Sequence, residues 1–149
     1  MKILHPTDFS ECATQAEAQA VELASNLDGE LVLFQAVVEA PLYGEGFLNI
    51  RESQKVYSAQ RRWAEETLEA RAAQLRQAGI KVSWRLQAGV PFEEIVKAAE
   101  EEHVDLIVMG THGRSGLNRV LLGSVAERVI RLAPCPVLTV RQAKPGASR

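Results

Sequence analysis

Cysteine is scarce in this chain, with Cys12 and Cys135 the two thiols among 149 residues. They lie far apart and in no metal-ligand spacing, which excludes a zinc module and a disulfide-stapled fold. Two reduced thiols that pack as small apolar groups are expected instead. An excess of charge of one sign is also lacking: 17 Lys and Arg stand against 19 Asp and Glu, a net charge of −2. Nonspecific nucleic-acid or membrane-surface binding therefore has no electrostatic footprint here. No apolar run approaches the roughly 20 residues of a membrane span. The opening Met-Lys-Ile-Leu-His-Pro-Thr-Asp has neither the apolar core nor the cleavage site of a signal peptide, so a cytoplasmic location is expected. Aromatics make up only 5% of the chain, and Trp63 and Trp84 are assigned to packing rather than base stacking. Two familiar nucleotide signatures are missing as well. There is no Gly-x-x-x-x-Gly-Lys-Ser/Thr, and no Gly-x-Gly-x-x-Gly follows the first strand. Nor does any nucleophile–His–acid set stand out, so no catalytic residue is assigned and slow hydrolysis is the most an enzymatic reading supports.

What is present is a regular alternation of strand and helix patterns. Lys2–His5 is a short apolar strand stopped by Pro6, and an alanine-rich helical pattern runs from Ser10 or Glu11 to Asn26, closed by Asp28-Gly29. Leu31–Val38 is nearly continuously apolar, as in a parallel strand buried on both faces. After an irregular stretch, Glu39–Asn49, the longest helical pattern spans Ser53–Ala78. Ile80–Leu86 alternates with period two and Pro91–Glu102 reads as a helix with proline in its first turn. Asp105–Gly110, Ser124–Leu132 and Pro136–Val140 complete the series as strand, helix and strand. Five strands joined by helices demand right-handed crossovers and a parallel sheet covered on both faces, hence one doubly wound α/β domain, for which a five-stranded sheet of order 3-2-1-4-5 is the expected arrangement. That domain is assigned to residues 1–141, and residues 142–149 have the composition of a flexible tail.

The most informative segment follows the fourth strand. Gly110, Gly113, Gly123 and Ser124 punctuate a strand–loop–helix junction, and Ser124-Val-Ala-Glu127 fits a capping box that would start the helix. Glycines in such a loop allow backbone N–H groups to approach an anion, and the helix adds the positive end of its dipole. In an open α/β sheet the ligand crevice lies beyond the carboxyl ends of the strands, where their order reverses. This brings Pro6-Thr7-Asp8 opposite the glycine loop, an arrangement suited to a nucleotide. Asp8 would accept hydrogen bonds from ribose hydroxyls or a base amine, with capping of the first helix as its alternative role. Ser124 and the loop backbone would hold phosphates, Arg114 and Arg119 would add charge, and His112 would donate a hydrogen bond. Mg²⁺ would offset the remaining charge, and Ala36 and Val37 would floor the base.

These residues resemble the nucleotide-binding kind of universal stress protein. The resemblance rests on Pro6-Thr7-Asp8-Phe9-Ser10, on Asp105-Leu-Ile-Val-Met-Gly110, on Gly-x2-Gly-x9-Gly-Ser at Gly110, Gly113, Gly123 and Ser124, and on Ala133-Pro-Cys-Pro-Val-Leu-Thr-Val140. It implies an adenine nucleotide alpha hydrolase-like α/β fold, ATP as ligand, and a homodimer formed through Val137, Leu138, Thr139 and Val140. By the same resemblance Asp8 touches the nucleoside, and the glycines with Ser124 hold the phosphates and ribose. Met109 and Val125 adjoin these positions and are candidate contacts. The implied role is a nucleotide-dependent regulator in stress response. A weak ATPase or phosphotransferase, and a nucleotide-independent dimeric interaction module, are the alternatives.

Overall fold

The computed structural model describes residues 1–38, 50–113 and 122–142. Five strands alternate with four helices among these residues: β1 (Lys2–Pro6), α1 (Glu11–Asn26), β2 (Glu30–Val37), α2 (Ile50–Gln77), β3 (Lys81–Ala88), α3 (Pro91–Glu101), β4 (Leu106–Gly110), α4 (Ser124–Leu132) and β5 (Val137–Val140). All strand pairings are parallel and the order is β3-β2-β1-β4-β5, as expected from the sequence. The reversal of order falls between β1 and β4, because β1 is the strand from which the chain winds first one way and then the other.

Period-two alternation along the central strands builds two cores, one on each sheet face. Ile3, Leu31, Leu33 and Val108 pack with Ala20 and Ala24 of α1 and with Leu68, Ala72 and Leu75 of α2. On the opposite face Leu4, Val32, Phe34, Ile107 and Met109 pack with Ile95, Ala98 and Ala99 of α3 and with Ala126 and Val129 of α4. The small residues of α1 let that helix lie close to the sheet. An ion pair borders this layer, the buried Glu17 of α1 with the partly exposed Arg71 of α2, whose Nε lies 2.7 Å from Glu17 Oε1.

Helix boundaries follow local chemistry. Ser10 caps α1, its Oγ accepting the Ala13 N–H at 3.2 Å, so the N-cap role left open for Asp8 falls to Ser10. Proline opens α3, where its missing N–H costs nothing. The cap of α4 differs from the sequence expectation. Gly123, not Ser124, is the N-cap, held extended while its N–H donates to the Thr111 carbonyl at 2.8 Å. Ser124 is therefore the first helical residue, and the capping box expected from Ser124 and Glu127 does not form. No helix among the described residues is long and apolar enough to cross a membrane.

Candidate functional site

Where β1 and β4 part, Pro6 is the cause. The register Ile3↔Leu106, Leu4↔Ile107, continued upward, would deliver the residue 6 amide to the Val108 carbonyl, and proline has no amide hydrogen to give. His5 fills the gap: its Nδ1 donates to Val108 O at 2.8 Å. The side chain is fully buried, and the bond places the hydrogen on Nδ1 in the neutral ring. Burial holds the His5 pKa below its ordinary 6.5, outweighing the opposing pull of the Val108 carbonyl, Glu17 and Asp8. The unfolded chain thus takes up this proton more readily than the folded one, so stability is full above pH 6.5 and falls as pH drops from 6.5 toward the folded pKa. Denaturant midpoints measured from pH 8 to 5 should show this decline, and His5→Leu should flatten it. Equal slopes in the two proteins would overturn the assignment.

Above this parting lies a cavity of about 350 Å³, within the range of small-ligand sites. Its β1 side is Pro6, Thr7 and Asp8, and its β4 side is Met109, Gly110, Thr111, His112 and Gly113, with Gly123, Ser124, Val125 and Ala126 from the start of α4. The floor is Phe34 and Ala36 of β2, and α3 contributes Pro91 and Ile95. The sequence-derived residues thus converge, with two exceptions. Val37 is buried but does not line the cavity, because the strand alternation that turns Ala36 toward α3 and α4 turns Val37 to the opposite face. Arg114, with Arg119, lies outside the described residues. Phe34, Pro91, Ile95, Thr111, Ala126 and Ala13 also line the cavity and were not anticipated. Phe34 was legible in principle, since it shares a strand face with Ala36, and Thr111 stands between two candidate residues.

The loop after β1 is tightly wound. Thr7 N–H extends the sheet by donating to Phe34 O at 2.8 Å, Thr7 Oγ1 accepts the Phe9 N–H at 3.0 Å, and Asp8 Oδ1 accepts the Ser10 N–H at 3.0 Å. Phe9 sits at φ 57°, a left-handed conformation uncommon for a bulky residue, and its ring meets Trp63 edge-on with centroids 5.8 Å apart. These bonds fix the Asp8 carboxylate at the cavity wall.

Across the crevice Thr111 organises the second loop. Its N–H donates to Val140 O at 3.1 Å, its carbonyl accepts the Gly123 N–H at 2.8 Å, and its hydroxyl lies 2.9 Å from His112 Nδ1. The glycines have a reason that differs from the one expected of them. A Cβ at Gly110 would lie 2.9 Å from Cys12 Sγ, one at Gly123 would lie 2.9 Å from Thr111 O, and one at Gly113 would lie 2.7 Å from Asp8 Oδ2. Gly110 therefore admits α1, Gly123 lets the two ends of the loop meet, and Gly113 leaves room for the Asp8 carboxylate. Cys135, by contrast, is remote from this site, and burial pushes its thiol pKa up.

The N-terminal turns of α3 and α4 both border the cavity, so two helix dipoles present their positive ends to it. Asp8 is the carboxylate among the described lining residues. A carboxylate acceptor beside Gly113 and the first turns of two helices in one cavity suit a ligand that carries hydroxyl or amine donors at one end and an anion at the other.

The family model described as the universal stress protein family matches residues 1–141. The chain belongs to that family. Universal stress protein MJ0531 of Methanocaldococcus jannaschii is 40% identical over 152 residues, covering 96% of this chain and 83% of the relative. The solved structure of MJ0577, from the same organism by its sequence match, superposes with a TM-score of 0.85 at 35% identity, covering 97% of each chain. A universal stress protein solved in complex with cAMP is similar at 25% identity and a TM-score of 0.63, covering 96% of this chain and 98% of its own.

Proposed function

We propose that this universal stress protein binds an adenine nucleotide, ATP with Mg²⁺, in the cavity between β1 and β4, and acts as a nucleotide-dependent regulator in stress response. One observation carries the reading: the Asp8 carboxylate, the loop ends at Gly113 and Gly123 and the first turns of α3 and α4 together line one cavity of about 350 Å³. Asp8, with Gly113 beside it, would take the ribose or base, while the Ser124 hydroxyl and the open N–H groups in the first turn of α4 would hold phosphates. Ser124, released from capping, has its hydroxyl at the first turn of α4. The relative solved with cAMP supports an adenine nucleotide as the ligand class. Mg²⁺ fits as a companion of the phosphates, since it keeps most of its water and needs few protein oxygens.

Titration of Mg²⁺-ATP into nucleotide-stripped protein tests the proposal. Saturable binding is expected, weakened by about tenfold or more in Asp8→Ala, because hydrogen bonds to a charged acceptor contribute about 1.5–3 kcal/mol. Absence of binding by the folded parent, or undiminished binding by Asp8→Ala, would sink it.

The same reading includes a homodimer through β5. That strand ends the sheet, and an unpaired edge is a template for pairing with a copy. Leu138 on it, with Ile130 and Leu132 at the end of α4, is exposed.

A further inference from the structure

Arg128 is an exposed cation beside the nucleotide cavity, outside its lining, that neither the glycine pattern nor the loop after β1 accounts for. It lies one helical turn beyond Ser124 on α4, and its side chain leans toward the helix N-terminus as helical side chains do. Its guanidinium carbon sits 4.8 Å from the centroid of the Phe92 ring. Phe92 follows Pro91, and both Pro91 and Ser124 line the cavity. The guanidinium thus lies against the first turn of α3 from its place on α4, next to two elements whose Pro91 and Ser124 line the cavity.

Its pairing is as informative as its place. Arg61, Arg71, Arg76, Arg85 and Arg131 each have a carboxylate partner. Arg128 has none within ion-pair distance among the described residues. The neighbouring Glu127 is taken by Arg131, 3.8 Å away, and Glu94 of α3 turns back over Gly89. A guanidinium stacked on an apolar ring keeps its orientation, yet its N–H donors stay available in the ring plane. That is how a planar cation is held in readiness for an anion rather than consumed by a structural salt bridge.

We infer that Arg128 reads the anionic end of the ligand, and so makes the cavity select phosphorylated nucleosides over the bare nucleoside. This rests on the nucleotide reading above. Phe92 then positions Arg128, since without the ring the side chain has nothing to hold it between the two helix ends.

Calorimetric titration of ATP and of adenosine into the parent protein, Arg128→Gln, Arg128→Lys and Phe92→Leu separates the two claims. The expected result is that Arg128→Gln weakens ATP by about tenfold or more, as loss of a charge-assisted contact does, and leaves adenosine unchanged. Arg128→Lys should fall between, because it keeps the charge and loses the fork. Phe92→Leu should weaken ATP more than adenosine. Equal ATP affinity in parent and Arg128→Gln, or equal losses for ATP and adenosine, would overturn the role of Arg128 while leaving the nucleotide site standing. Failure of the parent to bind either ligand would overturn both.

Discussion

Gly123→Val is expected to abolish measurable Mg²⁺-ATP binding, a loss of at least about 100-fold, and to lower stability by about 1–3 kcal/mol, as overpacking does. The reason is the Thr111 carbonyl, which a Cβ at position 123 would approach to 2.9 Å. That oxygen is also the acceptor of the Gly123 N–H, so the chain cannot relieve the contact without breaking the bond that closes the loop. Thr111 would move, and with it His112 and the start of α4. Gly113→Ala provides the contrast. Its Cβ would meet Asp8 Oδ2 at 2.7 Å, a side-chain oxygen that can shift only by disturbing the bond of Asp8 Oδ1 to the Ser10 N–H, so the carboxylate rather than the backbone is displaced. Affinity should then fall with little change in the melting temperature. Calorimetry and thermal unfolding on both variants check this, and a folded Gly123→Val that binds like the parent would refute it.

Much of this arrangement was legible in the sequence because it depends on local rules. Apolar runs, helical spacing and the Pro and Gly boundaries place all five strands, and crossover handedness then makes the sheet parallel with helices on both faces. The same rules bring Pro6–Asp8 to the loop at Gly110–Gly113. What escaped depends on contacts between distant segments. Nothing near residue 123 in sequence indicates that its amide is tied to Thr111, and that tie moves the α4 cap from Ser124 to Gly123. The clearance that each glycine provides is set by Cys12, Thr111 and Asp8, two of them more than 90 positions away. His5 carries a similar lesson. A histidine in a strand gives no sign of its partner until the missing hydrogen of Pro6 is matched with the carbonyl of Val108. Val37 is different, since the alternation that excludes it from the cavity was already written in β2.

The edge strand should yield a second large effect. Two copies related by a two-fold axis would set their β5 strands side by side and antiparallel, each meeting the same residues of the other. A four-residue strand supplies few backbone bonds, so the assembly must draw on apolar burial as well. Leu138, exposed in the single chain, is the side chain on β5 best placed to contribute. Leu138→Lys removes that burial, about 0.6–1.2 kcal/mol for each leucine because 39% of it is left to bury, and adds the charge that natural edges use against pairing. The two-fold axis counts the change twice, so with the added charges dimer dissociation should rise by about tenfold or more. Light scattering at micromolar concentration should give a dimer for the parent and a monomer for the variant. Because Leu138 is already solvent-exposed in the monomer, unfolding of the variant monomer should stay close to that of the parent, which separates lost association from a lost fold. A parent that is monomeric, or a variant that remains dimeric, would remove β5 as the interface.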